Sequence, residues 1–541
     1  MKFKRPDKNQ HEKLIKSANL FPVVGVGASA GGLDAFKKLL KAIPEDSGMA
    51  YVLVQHLDPN HESMLPEILQ KVTPIPVLEI SDDIQVQPNH IYIIPSNKMM
   101  VASDGILILT PRPVKNKNER NLPIDLFFSS LAEVHQTHAI GVVLSGTATD
   151  GTLGLKAIKD HGGITIAQDE ASAAYEGMPN SAIQAGVVDF ILSPEKIPQK
   201  LLALTAILNP ADAEDSKVPM EQEDMFRQIL AILRVRKGTD FTYYKQTTIR
   251  RRILRRMALN QHHEPVDYLK FLKENKAEQD ALYSDLLIPV TSFFRDKKSF
   301  ENLTEYVFPL LFAHKTSFDP IRVWVAGCST GEEAYSLAIC LIEYYSSRMI
   351  SSTDKIQIFA SDLSVSAIAK ARLGIYNKFE LAGVSARRLK DYFSKFNGGY
   401  QINKQVRAMC VFAHHDFLKD PPFGKMDLIT CRNVLIYMEP FLQKRALTTF
   451  HYSLNPSGFL LLGKSETISG VPELFASVKR NEKLFTRKDV AGRFMLTTST
   501  QSEKKLLIQN AVPKKEYARP DFQKTADDII LNKYTPPGVV V

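Results

Sequence analysis

Three residues able to form a hydrolytic relay each stand just past an apolar run. Ser29 lies in Phe21-Pro22-Val23-Val24-Gly25-Val26-Gly27-Ala28-Ser29-Ala30-Gly31-Gly32, where a β-branched run enters a glycine-rich corner ahead of an amphipathic helix over Leu33 to Leu40. His56 and Asp58 end the run Met49 to Val54, and Asp150 sits in Leu144-Ser145-Gly146-Thr147-Ala148-Thr149-Asp150-Gly151 behind Ala139 to Val143. A serine hydroxyl alone is a weak nucleophile. A histidine must take its proton, and a carboxylate must fix the ring and stabilise the imidazolium. The helix after Ser29 starts with unpaired N–H groups and a positive dipole, which suits a developing oxyanion. Other readings fit the same residues. Gly25-x-Gly27-x-x-Ala30 also matches a dinucleotide-binding corner, Ser29 a helix cap, His56 a structural histidine and Asp150 a turn residue.

A second corner carries acids instead of a serine. The strand Ile321 to Ala326 leads into Gly327-Cys328-Ser329-Thr330-Gly331-Glu332-Glu333 and a helix, and the next strand, Lys355 to Asp362, ends in a carboxylate. A glycine corner plus an acid on the neighbouring strand end is how α/β folds hold a nucleoside, the acid bonding ribose hydroxyls. Two glutamates at that helix N-terminus would repel a pyrophosphate. A nucleoside with cationic groups and no phosphate fits better, and S-adenosylmethionine is such a molecule.

The elements that must position these residues follow from the pattern. Strands and helices alternate in both halves, which predicts two doubly wound, Rossmann-like parallel α/β sheets in tandem. Further short strands are expected at 76–80 and 90–95, a hairpin around Ser103-Asp104-Gly105, and a mobile basic loop from Arg112 to Arg120. The expected division is a polar extension 1–19, a first catalytic domain 20–208, a linker 209–223, a basic helical subdomain 224–288, a second catalytic domain 289–488 and a linker-like tail 489–541. In the helical subdomain, Ile249, Ile253, Leu254 and Met257 form an apolar stripe, and five arginines between Arg250 and Arg256 cover the rest. That face reads as solvated, as a nucleic-acid surface, or as a dock for an acidic helical protein.

With 541 residues the chain exceeds one core. A hydrophobic share of 44% and a charged share of 23% match a soluble globular protein. No apolar run reaches the roughly 18 residues of a membrane span, and the polar first residues lack a secretory signal, so the cytoplasm is expected. The four cysteines include no C-x-x-C pair, so no metal site and no disulfide framework is expected. A net charge of +9 favours acidic partners.

Both halves also resemble known families. Gly27-Ala28-Ser29-Ala30-Gly31-Gly32, Gln55-His56-Leu57-Asp58, the Ser145–Gly151 loop and Ala167-Gln168-Asp169-Glu170 through Gly177-Met178-Pro179 together resemble the catalytic domain of CheB-type chemoreceptor methylesterases. The resemblance implies Ser29 as nucleophile, His56 as general base, Asp150 behind it, and Met178 on a loop lining the cleft. Ala148 stands where that family usually has glycine. Thr291-Ser292-Phe293-Phe294-Arg295, Gly327–Glu333, Ala360-Ser361-Asp362 and Cys431-Arg432-Asn433-Val434-Leu435-Ile436-Tyr437 resemble CheR-type receptor methyltransferases. That implies S-adenosylmethionine contacts from Thr291, Arg295, Glu333, Asp362, Asp416, Phe417, Arg432 and Asn433, with Arg295 also orienting a glutamate and Tyr437 lining the transfer channel. Pro289 replaces a usual asparagine, and the insertion from Phe396 to Ala413 looks short for gripping a receptor tail. Arg250, Arg251, Arg255 and Arg256 are expected to meet an acidic receptor helix. The implied protein is a fused pair of opposing enzymes that methylates receptor glutamates and hydrolyses the esters, with glutamine deamidation as a further hydrolysis. The expected partners are a methyl-accepting chemoreceptor-like protein and sensory or kinase components, with no nucleic acid. One half is expected to be gated or weak, because running both together would waste cofactor and the usual receiver domain is missing. The alternatives are a non-catalytic scaffold that keeps both folds and a nucleic-acid methyltransferase.

Overall fold

The computed structural model describes residues 21–490 except 57–63, 82, 113–121, 208–219, 289, 314–318, 347–355, 379, 382, 397–398 and 480–481. Asp58, Pro289, almost all of the Arg112–Arg120 loop, the N-terminal extension, most of the 209–223 linker and nearly all of the tail fall outside the described residues.

The first half is built on seven parallel strands: β1 (Val23–Ala28), β2 (Ala50–Gln55), β3 (Val77–Glu79), β4 (Ile91–Ile93), β5 (Ala139–Val143), β6 (Ile164–Gln168) and β7 (Phe190–Leu192). Their order is β7-β6-β5-β1-β2-β4-β3. The chain leaves β1 to one side for β2 and returns to its other side for β5, so the crevice beyond the carboxyl end of β1 lies at the switch point of the sheet. Continuous apolar runs suit β1, β2 and β5, because helices cover both faces. Helix α1 (Gly32–Lys41) follows β1, and α2 (Pro123–His135) presses on the sheet so closely that a Cβ on Gly25 would lie 2.7 Å from Phe128 and one on Gly27 2.4 Å from Ile124. Helix packing therefore accounts for Gly25-x-Gly27 without a bound dinucleotide. Helices α3 (Thr152–Asp160) and α4 (Gly177–Gln184) flank β5 and β6. The expected hairpin forms between Lys98–Ser103 and Ile106–Pro111, with Ser103 opposite Ile106.

Four helices come next: α5 (Met220–Lys237), α6 (Gln246–Leu259), α7 (Pro265–Glu274) and α8 (Lys276–Leu286). Ile249, Ile253 and Met257 of the expected stripe join Leu233, Leu272 and Leu282 in their shared core.

The second half repeats the first architecture. Strands β8 (Ile321–Ala326), β9 (Ile356–Asp362), β10 (Cys410–His414), β11 (Met426–Cys431) and β12 (Leu454–Leu462) are parallel, in the order β10-β9-β8-β11-β12. Antiparallel strands β13 (Phe475–Ser477) and β14 (Leu484–Arg487) close the edge in the order β12-β14-β13. Helix α9 (Glu332–Ser346) leaves the corner after β8. Of the expected insertion, Gly399–Ile402 forms a small antiparallel sheet with Phe393–Phe396 and Ile375–Tyr376, whereas Cys410–Ala413 is part of β10 in the main sheet, so the small sheet starts and ends earlier than expected. Two parallel α/β sheets separated by a helical region are the architecture the alternation implied.

Candidate functional sites

At the first sheet, Ala28 pairs with Gln55, so the residues after β1 and β2 emerge side by side. His56 N–H donates to Ala28 O at 3.4 Å, which sets His56 beside the Ser29 corner. The His56 imidazole Nε2 lies 2.7 Å from Asp150 Oδ2. Asp150 is buried and accepts three backbone amides: Asp125 and Gly151 on Oδ1, at 2.9 and 3.0 Å, and Ile124 on Oδ2 at 3.0 Å. These bonds fix the direction of the carboxylate toward the ring. With Nε2 given to Asp150, Nδ1 is left to take a proton. Among the described residues the Ser29 hydroxyl makes no hydrogen bond to His56, a looseness common in ligand-free sites.

The corner itself is tied down by Ser145. Ser29 N–H donates to Ser145 O at 3.0 Å, Gly32 N–H donates to Ser29 O at 2.9 Å, and Ser145 Oγ donates to Ala30 O at 2.9 Å. Ser145 N–H is held in turn by Gln168 Oε1 at 2.7 Å. Ala148 takes φ 70°, so the residue in the usual glycine place adopts the left-handed conformation glycine would have, and Asp150 still reaches His56. Met178 corrects its expectation. It lies in α4, is fully buried and packs under Gly146, its N–H bonded to Gly146 O at 2.9 Å, so it supports the cleft from below and does not line it.

Sequence reasoning also missed Asp125, one helical turn from the site. Its Oδ1 accepts Gly154 N–H at 2.8 Å, while Oδ2 is buried without a partner. Burial, and then the negative charge of Asp150, push its carboxyl up to about 7.

At the second sheet, one cavity is lined by Thr291, Arg295, Glu333, Asp362, Asp416, Phe417, Arg432, Asn433 and Tyr437, all nine singled out from sequence. Tyr244 and His415 line it too and were missed; Tyr244 lies on the turn before α6, where no motif marked it. Asp362 accepts Ser329 N–H and Ser364 N–H, each at 2.8 Å; burial raises its carboxyl and these amides oppose the rise. The two glutamates of the corner part ways. Glu332 is buried against the Thr330 hydroxyl at 2.7 Å and raised by burial, while Glu333 lines the cavity, accepting Thr430 Oγ1 at 2.7 Å and Arg432 Nη1 at 3.2 Å. Arg432 is buried, bonded to Arg295 O at 2.7 Å and Asp296 Oδ2 at 3.1 Å, and its Nε has no partner. Phe417 packs mainly on Phe450, with ring centroids 5.5 Å apart.

The arginine face of α6 corrects a further expectation. Arg255 is 1% exposed. Its Nη2 bonds both oxygens of Asp189 at 2.7 Å, its Nη1 bonds Asp285 at 2.7 Å, and its Nε bonds Gly163 O at 3.1 Å. Arg252 donates to the Asp160 and Lys159 carbonyls, Arg251 to Gln136 Oε1 at 3.3 Å, and Arg256 Nε to Glu278 Oε1 at 2.9 Å. Arg250 keeps a loose pair with Glu223 at 3.7 Å. Arg255 and Arg256 are thus committed inside the molecule, because α6 packs on the edge of the first sheet, and they do not present a face to an acidic receptor helix.

Family comparisons agree with this division. Residues 24–201 match the CheB methylesterase family, 224–287 the CheR methyltransferase all-alpha domain and 289–484 the CheR methyltransferase SAM binding domain. A 104.1 kDa protein of the hypE 3′ region of Rhodobacter capsulatus is 36% identical over 442 residues, 78% of this chain and 46% of that protein, so the chain spans under half of that relative's length. Chemotaxis protein methyltransferase 2 of Vibrio cholerae is 32% identical over 46% of this chain and 86% of its own. A protein-glutamate methylesterase/protein-glutamine glutaminase of Photorhabdus laumondii is 36% identical over 34% of this chain and 52% of its own. A SAM binding domain implies S-adenosylmethionine as cofactor, and the cavity fits it: carboxylates of Glu333, Asp362 and Asp416 suit ribose hydroxyls and cationic groups, and the buried, unpartnered His415 Nδ1 is free to bond a ligand. The chain belongs to the chemotaxis methyltransferases, with a CheB methylesterase domain fused ahead of the CheR all-alpha and S-adenosylmethionine-binding domains.

Proposed function

We propose that the protein is a bifunctional receptor-modification enzyme that methylates glutamate side chains of a chemoreceptor-like protein and hydrolyses the resulting methyl esters. The observation that carries this reading is the His56–Asp150 pair, 2.7 Å apart, beside a serine at a parallel-sheet switch point. In the esterase half, Ser29 Oγ attacks the ester carbonyl while His56 takes its proton. His56 returns that proton to the departing methanol, and a water activated by His56 then releases the glutamate. Asp150, held by three amides, stabilises the imidazolium. The Ser29 and Gly32 amides are already bonded, so of this corner the Ala30 and Gly31 amides would meet the oxyanion. A glutamine amide presents the same carbonyl, which makes deamidation a second hydrolysis for the same residues.

In the methyltransferase half, S-adenosylmethionine supplies an electrophilic methyl group when bound. Asp362, Glu333, Asp416, Thr291 and Asn433 would hold it, and Arg295 and Tyr437 would orient the acceptor. No strong base is required, since a glutamate side chain is already ionised at neutral pH. Catalysis is then mainly positioning. The reading places the protein in the cytoplasm, where reduced thiols match its four free cysteines. Among the described residues no helix is long and apolar enough to cross a membrane.

The scaffold alternative predicts neither chemistry. Ser29→Ala and Asp362→Ala, assayed on one receptor cytoplasmic fragment, separate the readings. Under the enzyme reading, the first variant loses ester hydrolysis alone and the second loses methyl transfer alone. Wild-type chain inert in both assays would favour the scaffold.

A further inference from the structure

One wall of the S-adenosylmethionine cavity is a short loop that leads into a single 3-10 turn, Leu435–Tyr437. It runs from Arg432 to Leu435, directly after β11. Beneath it lies Glu466, which is 3% exposed and does not line the cavity. Its Oε1 accepts Val434 N–H and Leu435 N–H, each at 2.8 Å. Its Oε2 accepts Asn433 N–H at 3.1 Å and Gly463 N–H at 2.6 Å. A carboxylate offers about four lone-pair sites, and here all are taken by backbone donors from two strand ends. Burial pushes this carboxyl up, and the four amides oppose that by favouring the charged form.

The grip has visible consequences. Asn433 takes φ 59°, a left-handed conformation that asparagine adopts more readily than other non-glycine residues, and the Glu466 carboxylate holds its amide there. A Cβ at Gly463 would lie 2.8 Å from both Asn433 N and Glu466 Oε2, so only glycine lets the carboxylate close under the loop. Val434 then backs onto the other corner, 2.5 Å from where a Cβ on Gly327 would stand. Arg432, at the head of the same loop, reaches Glu333 and Asp296.

We propose that Glu466 is a positioning residue for cofactor binding: by collecting the amides of Asn433, Val434 and Leu435 it holds Asn433 and Arg432 at the cavity. This rests on reading the cavity as the S-adenosylmethionine site. The test uses the full chain, with S-adenosylmethionine binding measured by calorimetry for wild type, Glu466→Gln, Asn433→Ala and the double variant. An amide in place of the carboxylate turns a donor toward two of the four N–H groups. An unsatisfied buried donor costs about 1–3 kcal/mol, so affinity should fall about 10-fold or more. Asn433→Ala added to Glu466→Gln should cost less than about threefold further, because both act through one loop. Ester hydrolysis by the other half should be unchanged, reporting that the variant folds; Glu466→Asp, which keeps the charge with a shorter reach, should fall between the two. Hydrogen exchange at Asn433, Val434 and Leu435 without any ligand should accelerate in Glu466→Gln. Wild-type affinity in Glu466→Gln, fully additive losses, or unchanged exchange would each overturn the role. A wild-type chain that fails to bind S-adenosylmethionine while exchange still accelerates would fault the reading of the cavity and leave the grip on the loop standing.

Discussion

Asp150 uses both oxygens on backbone amides before it meets His56, so its role depends on charge as well as position. Asp150→Asn should keep the fold and lower ester hydrolysis by about three to four orders of magnitude, because the amide stabilises the wrong ring tautomer; methanol release measures it, and a loss under tenfold would contradict the relay. Asp125 behaves differently. Its folded carboxyl is raised from 3.8 to about 7, so the stability it contributes is full below 3.8 and is lost as the pH rises through about 7. Asp125→Asn stays neutral throughout. It should therefore be more stable than wild type by up to a few kcal/mol at pH 8, with the gain fading toward pH 4 in urea unfolding. A gain that grows toward acid pH would contradict this account. Ala148, at φ 70°, predicts that Ala148→Gly raises stability by about 1 kcal/mol, since the strain of a left-handed alanine is relieved; destabilisation in the same unfolding assay would refute it. Asp125 was not legible in the sequence because its importance comes from Asp150, 25 residues away and on another element.

At the scale of elements, what the sequence revealed was local. Apolar β-branched runs ending in glycine corners mark β1 and β8, and each corner delivers its residue to a strand end. The Ser103-Asp104-Gly105 signal turns the chain between Lys98–Ser103 and Ile106–Pro111, with Asp104 and Gly105 both at positive φ, which is what a tight two-residue hairpin requires. Gly327 carries a testable version of the same logic. It has φ 76°, and a Cβ there would meet Val434 at 2.5 Å. Gly327→Ala should weaken S-adenosylmethionine binding about 10-fold or more, by displacing the loop that presents Asn433, while ester hydrolysis persists. Equal affinity would mean the loop can yield. What stayed hidden was long-range. Arginines spaced along α6 read alike from sequence, yet Arg255 finds Asp189 from 66 residues away and Glu466 finds its loop from about 32, and no local pattern records either meeting.

For the whole molecule, the arginine cluster ties the helical subdomain to the first catalytic domain through α6. Arg255 joins Asp189 of the first to Asp285 of α8, and Arg252 reaches two carbonyls at the end of α3. Arg255→Ala leaves two carboxylates without their buried partner and should cost about 3–5 kcal/mol. The loss should show as faster hydrogen exchange on both sides of this contact; exchange confined to α6 would contradict a shared interface. The most direct test follows a labelled methyl group from S-adenosylmethionine in the presence of a receptor cytoplasmic fragment. The account predicts that wild-type chain moves label onto protein as base-labile esters and then into methanol, whereas Ser29→Ala accumulates the esters and releases no methanol. Methanol release from Ser29→Ala at the wild-type rate, or no ester-linked label with either chain, would contradict it.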